Sequence, residues 1–381
     1  MRTLIVSDLH VGDRAGNDVL RRDGVAQALV KALEGVDRLV LLGDTLELRN
    51  RPVGAVLADA EPIFRLLGGA LAGKAVVIVA GNHDHVLAEH WLSRHDTPLG
   101  LEHRFTPEQA SDLAMALAAA LGKAHVELAY PGIWLREDVY ATHGHYLDVH
   151  MTVPTFERIA IAASGRVALD RSHRWNDVHS PADYEGLVAP IYAWMYVAAQ
   201  SGRPGQATGG GAAIRAWKTL RSGRTGGLRA QAFKAGFPLA VRALNAAGLG
   251  PLQRELSTTT LRSAGLRAMG EVVERLRIAD GRVGTRQQAA PDVACHVIFG
   301  HTHRAGLIEG DEPAAWLTPN RVQLHNAGSW VYSETFVGAG DPRSPYWPGT
   351  ALLVEDAGPP RLLRLLADHT PAQLRASRVR P

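Results

Sequence analysis

Five short runs in the 381-residue chain bring carboxylates, an amide and imidazoles into close spacing: Asp8-Leu9-His10, Gly43-Asp44, Gly81-Asn82-His83-Asp84, His143-Gly144-His145 and Gly300-His301-Thr302-His303. Oxygen and imidazole donors together suit divalent Mn, Fe or Zn, while a single cysteine, Cys295, excludes a thiolate site. Asp-x-His and His-x-His on an extended chain set two side chains on one side of the backbone, because the strand period is two. Gly43, Gly81 and Gly300 allow tight turns just before the donors. A lone imidazole among 17 histidines signifies little, but five such blocks in one chain make a joint pattern.

These residues need elements that carry them to one place. Each block follows an apolar run that reads as a strand: 2–7, 37–42, 75–80, 134–142 and 294–299, with further strands at 124–129, 314–318, 322–327, 350–354 and 361–365. Helical patterns lie between the early strands at 18–34, 55–72 and 107–121, the last opening on Thr106-Pro107 as N-cap and first helical residue. Strands alternating with helices predict an α/β arrangement, in which the loops beyond the carboxyl ends of the strands form the ligand crevice.

In this order and at these separations the blocks resemble those of the calcineurin-like metallophosphoesterases, over roughly residues 1–150 and 291–330. The resemblance implies a four-layered α/β/β/α sandwich and two divalent metal ions, manganese fitting best and iron or zinc next. It implies that Asp8, His10, Asp44 and His303 hold one ion and that Asp44, Asn82, His143 and His301 hold the other, with Asp44 bridging. It implies that His83 approaches the leaving oxygen and that Asp84 orients it; His145 has no assigned role. The implied reaction is hydrolysis of a phosphoester or pyrophosphate bond by metal-bound hydroxide, as a phosphatase or phosphodiesterase. One departure is Glu47, where many relatives have aspartate. Bacterial UDP-2,3-diacylglucosamine pyrophosphatases tend to share that glutamate and carry a helical insertion, but they usually have arginine where this chain has His83. That partial likeness brings lipid pyrophosphates among the candidate substrates.

Residues 151–290 read differently from their flanks: Ala-, Arg- and Leu-rich, helical in pattern, with Gly-rich breaks at 202–212 and 222–227. The expected organisation is therefore one metallophosphoesterase domain of residues 1–150 and 291–381, with 151–290 an inserted helical cap separable from the metal site. The cap holds 19 basic against 9 acidic residues, a net of +10 in a chain of net +3. That excess suits an anionic partner: a phosphorylated substrate, or an anionic membrane surface or lipid reached through the mixed apolar and basic run 232–244. The excess is sharpest over 201–270, where 11 basic residues face one acid, Glu255; nucleic acid fits less well, since Trp217, Phe233 and Phe237 are the only aromatics in that range to stack bases. Two alternatives to the favoured reading are a nuclease or phosphodiesterase acting on nucleic acid, and a non-catalytic protein-binding scaffold, although scaffolds typically lose a ligand or the histidine at position 83.

Composition sets the remaining bounds. With 46% hydrophobic and 21% charged residues the chain is ordinary for a globular protein. Met1 runs straight into an apolar strand, and no apolar run reaches the roughly 20 residues needed to span a bilayer. A cytoplasmic protein is expected, peripheral to a membrane if the basic segment meets lipid.

Overall fold

The computed structural model describes residues 1–152, 157–158, 160–161, 178–201, 261–279, 295–338 and 340–375. The 232–244 run and much of the basic excess lie outside the described residues, as do most of the other calls made on 201–260.

The parallel strands β1 (Thr3–Val6), β2 (Arg38–Leu42) and β3 (Ala75–Val79) carry almost unbroken Val, Leu and Ile, the composition of strands covered on both faces. Helices α1 (Val25–Ala32) and α2 (Val53–Ala70) form the crossovers between them. The long β5 (His125–Arg136) serves two neighbours. Its first half runs parallel to β3, from Ala75↔His125 to Val79↔Ala129, and its second half pairs antiparallel with β6 (Val139–Thr142) from Gly132↔Thr142. Beyond β6 lie β7 (Cys295–Phe299) and β8 (Val322–Asn326), both parallel to it; at the other edge β9 (Thr350–Val354) and β10 (Arg361–Arg364) pair beside β1. A short β4 (Glu102–Phe105) joins β5 from the side.

Side-chain alternation along these strands sorts the apolar residues into three cores, and three cores require four layers. Leu4, Val6, Leu39, Leu41, Val76 and Ile78 pack under the first helices. Ile5, Val40, Leu42, Val77 and Val79 face the other way and meet Ile133, Ala141 and Ile298, so the sheet doubles over on itself. On the far side Tyr140, Val297, Phe299 and Leu324 meet Tyr184, Leu187, Val188, Ala268, Met269 and Val272 of helices Pro181–Gln200 and Leu261–Arg275. The order is helix, sheet, sheet, helix: the expected α/β/β/α sandwich. The outer helices of the second half come from the segment read as a cap, and they are a layer of the core.

Several local expectations change. Helix 18–34 is a 3-10 turn, Val19–Arg21, followed by α1, because Gly24 between them takes a left-handed φ of 78°. Helix 107–121 is two helices, α3 (Pro107–Ala110) and α4 (Asp112–Ala120). Ser111 between them is extended and caps the second by accepting the Ala114 N–H at 3.1 Å. Thr106 and Gln109 form a capping box at the start, as the Thr-Pro signal indicated. The strands expected at 124–129 and 134–142 become β5 and β6, since two different partners satisfy successive halves of one chain. Residues 314–318 hold a 3-10 turn, Pro313–Trp316, with Trp316 buried. Among the described residues no helix is long and apolar enough to cross a membrane.

Candidate metal centre

The five blocks leave β1, β2, β3, β6 and β7 at one edge of the doubled sheet. Backbone bonds zip the loops together there: Asp8 N donates to Gly43 O (3.1 Å), His10 N to Asp44 O (2.8 Å), and Gly300 N to His143 O (2.9 Å). The donors do not sit on extended chain. Asp8, His10, Asp44, His301 and His303 take φ of 55°, 45°, 49°, 62° and 56°, and only Arg277 and Arg321 are other non-glycine residues at positive φ among those described. Such backbone costs on the order of 1–3 kcal/mol per residue and persists where surroundings over-determine it. Turning the chain this way is what aims paired side chains inward. Neighbouring backbone must make room: a Cβ at Gly300 would lie 2.0 Å from Ser7 Oγ and 2.4 Å from Asp8 Oδ2, and one at Gly43 2.3 Å from His143 Nδ1.

Among the described residues three overlapping donor groups result: Asp8 with His10 and His303 at one end, Asp44 with His143 and His301 at the other, and His10 with Asp44 and His83 linking them, the donor atoms of each within 4.8 Å of one another. Asp44 lies between them: its Oδ2 is 3.5 Å from His10 Nε2 and 3.3 Å from His143 Nε2, while its Oδ1 accepts the His83 N–H at 2.7 Å. Asp8 is divided in the same way. Its Oδ2 accepts from Ser7 Oγ (2.6 Å) and His301 N (2.9 Å); its Oδ1, fully buried, has no hydrogen-bond donor and faces His303 Nε2 at 3.2 Å. A buried carboxylate oxygen without a donor is costly, and one aimed at two imidazoles is placed for a cation.

Asn82 completes the second group. With its amide oxygen inward it stands 3.0 Å from both His143 Nε2 and His301 Nδ1. With the nitrogen inward it would donate to those atoms and to Asp44 Oδ2 (3.2 Å), and its oxygen would accept from Arg49 Nη1 (2.6 Å). Neutral imidazoles favour the second orientation; a cation or protonated rings favour the first.

Outer partners fix which ring nitrogen faces inward. His143 Nδ1 donates to Leu42 O (3.0 Å), freeing Nε2; His10 Nδ1 faces Glu47 Oε2 (3.0 Å), freeing Nε2; His301 Nε2 faces Asp148 Oδ1 (3.1 Å), freeing Nδ1. This is the support that metal-ligating histidines ordinarily have. The electrostatics point the same way. Burial alone would raise Asp8 and Asp44, but His303 and His10 around the first, and His143 and His83 around the second, hold both carboxyls below the usual range. Burial likewise disfavours charge on His143, yet Asp44 outweighs it and lifts the ring to about 9. The donor set calls for positive charge, which protons supply when no cation does.

All seven expected ligands meet here. His83 lies at the open side with its side chain 24% exposed; its Nδ1 is 2.8 Å from Glu47 Oε2, without hydrogen-bond alignment, and its Nε2 4.0 Å from Asp44 Oδ2. Asp84 does not touch it. Asp84 instead accepts backbone N–H groups of Thr45 (2.7 Å), Leu46 (3.2 Å) and Gly81 (2.7 Å), tying the second and third loops, and burial beside Asp44 pushes its carboxyl up to about 6. Glu47, the departure in the second block, is the carboxylate on His83. Asp148 and Arg49 also belong to the site's surroundings; no motif marked them. His145 joins none of the donor groups, and burial lowers it to about 4. His85, three residues beyond Asn82, is buried against Glu185. The Asn326-Ala327-Gly328 turn supports the fifth block, Asn326 Nδ2 donating to Gly300 O at 3.0 Å.

Residues 1–189 match the model of the calcineurin-like phosphoesterases. No curated protein matches the chain. Among solved structures, a dimetal phosphatase from Danio rerio shares 13% identity at a TM-score of 0.33, with 93% of each chain covered. A cold-active protein-tyrosine phosphatase of a psychrophilic Shewanella shares 15% at a TM-score of 0.25, covering 93% of this chain and 75% of that one. At those scores neither structure bears on mechanism. The family match spans the first four donor blocks, the fifth closes the same site in space, and the chain belongs to the calcineurin-like phosphoesterases.

Proposed function

We propose that this chain hydrolyses a phosphoester or pyrophosphate bond with two divalent cations, Asp8, His10, Asp44 and His303 holding one and Asp44, Asn82, His143 and His301 the other. The observation that carries this reading is the chain of overlapping donor groups, with Asp44 Oδ2 between His10 Nε2 (3.5 Å) and His143 Nε2 (3.3 Å) and the donorless Asp8 Oδ1 beside them. The donor set fits manganese, with iron and zinc next. When bound, such a pair clamps phosphoryl oxygens and lowers the pKa of water toward neutrality.

The chain's own groups do the rest. The outer carboxylates Glu47 and Asp148 hold His10 and His301 in orientation. His83 stands at the open side with Nδ1 against Glu47 and Nε2 4.0 Å from Asp44 Oδ2; burial lowers its pKa and the two carboxylates oppose that shift, and a protonated ring here gives its proton to the leaving oxygen. The basic excess of residues 201–270 supports an anionic substrate or surface, and the partial likeness to lipid pyrophosphatases supports a pyrophosphate linkage. The deciding experiment is a panel of aryl phosphates, cyclic nucleotides, nucleotide-sugar lipids and single-stranded DNA, assayed after chelation and again after reloading with Mn²⁺. Activity that returns with the metal on at least one phosphorylated substrate is expected. Activity indifferent to chelation, or at most one tightly bound ion per chain, would overturn the reading.

A further inference from the structure

Behind the second donor group lies a buried polar cluster that the chemistry above does not use. Its centre is Glu185, on helix Pro181–Gln200, with its side chain 12% exposed. Oε2 faces His85 Nε2 at 3.0 Å; Oε1 accepts the hydroxyls of Tyr146 (2.7 Å) and Tyr130 and lies 4.0 Å from His145 Nε2. Tyr130 OH is in turn 3.1 Å from His145 Nε2. His85, Tyr130, His145 and Tyr146 are all buried.

The partners are not scattered. His85 lies three residues beyond Asn82 in the third loop, and His145 and Tyr146 lie two and three beyond His143 in the fourth. One carboxylate therefore grips two of the four loops that deliver a ligand to the second group, while none of its contacts among the described residues reaches the loops of Asp8, His10 or His303. A charged group this enclosed survives only with several donors, and breaking such a set costs far more than an exposed pair contributes.

We propose that Glu185 is a positioning residue for the metal centre: from the inserted segment it holds the third and fourth loops in register, so that Asn82 and His143 converge on one cation. The inference rests on the binuclear reading above. It makes helix Pro181–Gln200 part of the centre's construction, specific to one of its two subsites.

The test is a calorimetric Mn²⁺ titration of chelated, folded protein. Wild type takes two ions, and Glu185→Gln, which keeps the volume and loses the charge, weakens one of them about 10-fold or more, the scale of an outer-partner loss. In a His303→Ala background the substitution weakens the ion that remains; in a His143→Ala background it changes nothing. Unchanged affinities in Glu185→Gln overturn the inference, and so does equal weakening of both ions, which a general loss of stability produces. If Glu185→Gln fails to fold, His85→Gln decides by the same criteria, since it frees one loop and leaves the carboxylate its tyrosines. A wild type that takes fewer than two ions overturns the binuclear reading itself, a result distinct from all of these.

Discussion

The two helical layers of the sandwich cover equivalent sheets but are made differently. On β1–β3 the cover is built by the crossovers α1 and α2, each between consecutive strands, so chain order and spatial order agree. On β6–β8 the described cover comes from Pro181–Gln200 and Leu261–Arg275, both inside the long excursion between the fourth and fifth donor blocks. The first layer positions the metal centre through the loops its strands carry. The second reaches it directly with side chains, Glu185 on His85 and Met195 Sδ accepting from Arg49 Nη2 at 2.7 Å. The two described helices of this excursion are thus packed into the core.

The strongest way to break that comparison is to excise residues 151–290 with a short Gly/Ser bridge. A separable cap predicts a folded protein that still binds metal; the packing here predicts collapse, because Tyr140, Val297, Phe299 and Leu324 lose their cover. Circular dichroism and dye binding to exposed apolar surface distinguish the two, and a cooperative melt of the excised protein would return the segment to the status of a lid. Next in size is Asp44→Asn, expected to remove activity and lower metal content beyond the roughly 10- to 100-fold of an outer-partner loss. Retention of two tight ions by that variant would take Asp44 out of the bridge.

His83→Ala should lower kcat by about 10²- to 10⁴-fold on a substrate with an alkoxide leaving group and less with nitrophenolate, leaving both ions in place. Equal losses on the two would remove the acid role. Leu187→Ala, at a position 1% exposed in the second layer, should cost about 2–5 kcal/mol in chemical denaturation; a cost near zero would mean the layer is not a core.

The smallest effect concerns pH. His143 is raised to about 9 in the cation-free site, so its charge stabilises that state fully below about 6.5 and the benefit is lost as pH rises through about 9. A cation displaces that proton. Apparent Mn²⁺ affinity should accordingly rise by up to about tenfold per pH unit across this window for each proton released, with release visible in buffers of differing ionisation enthalpy. A flat profile would mean that the imidazoles are already neutral before metal arrives.

Much of this centre was legible in the chain. The kind of donor follows from residue type, and placement follows from strands too apolar to lie anywhere but the interior, each ending in a donor block; which ion each donor would hold came from the family resemblance. Asp8, Asp44, Asn82 and His301 needed no more than that. Even Gly300 could be read as backbone space, although the atoms that fill it, Ser7 Oγ and Asp8 Oδ2, lie nearly the whole chain away.

Tertiary structure decided what depends on distance between segments. That Glu47 and not Asp84 meets His83 turns on how two loops are zipped by backbone bonds, since both carboxylates were equally available in sequence. The left-handed backbone at five donors reflects constraint from neighbouring strands and overrides local preference, which disfavours that region for side chains with a Cβ. Glu185 and His85 stand 100 residues apart, and no periodicity in a helix records which of its polar residues will be buried. Residue type is a local property and sequence carries it; the pairing of buried charges is a property of packing, and only the fold fixes it.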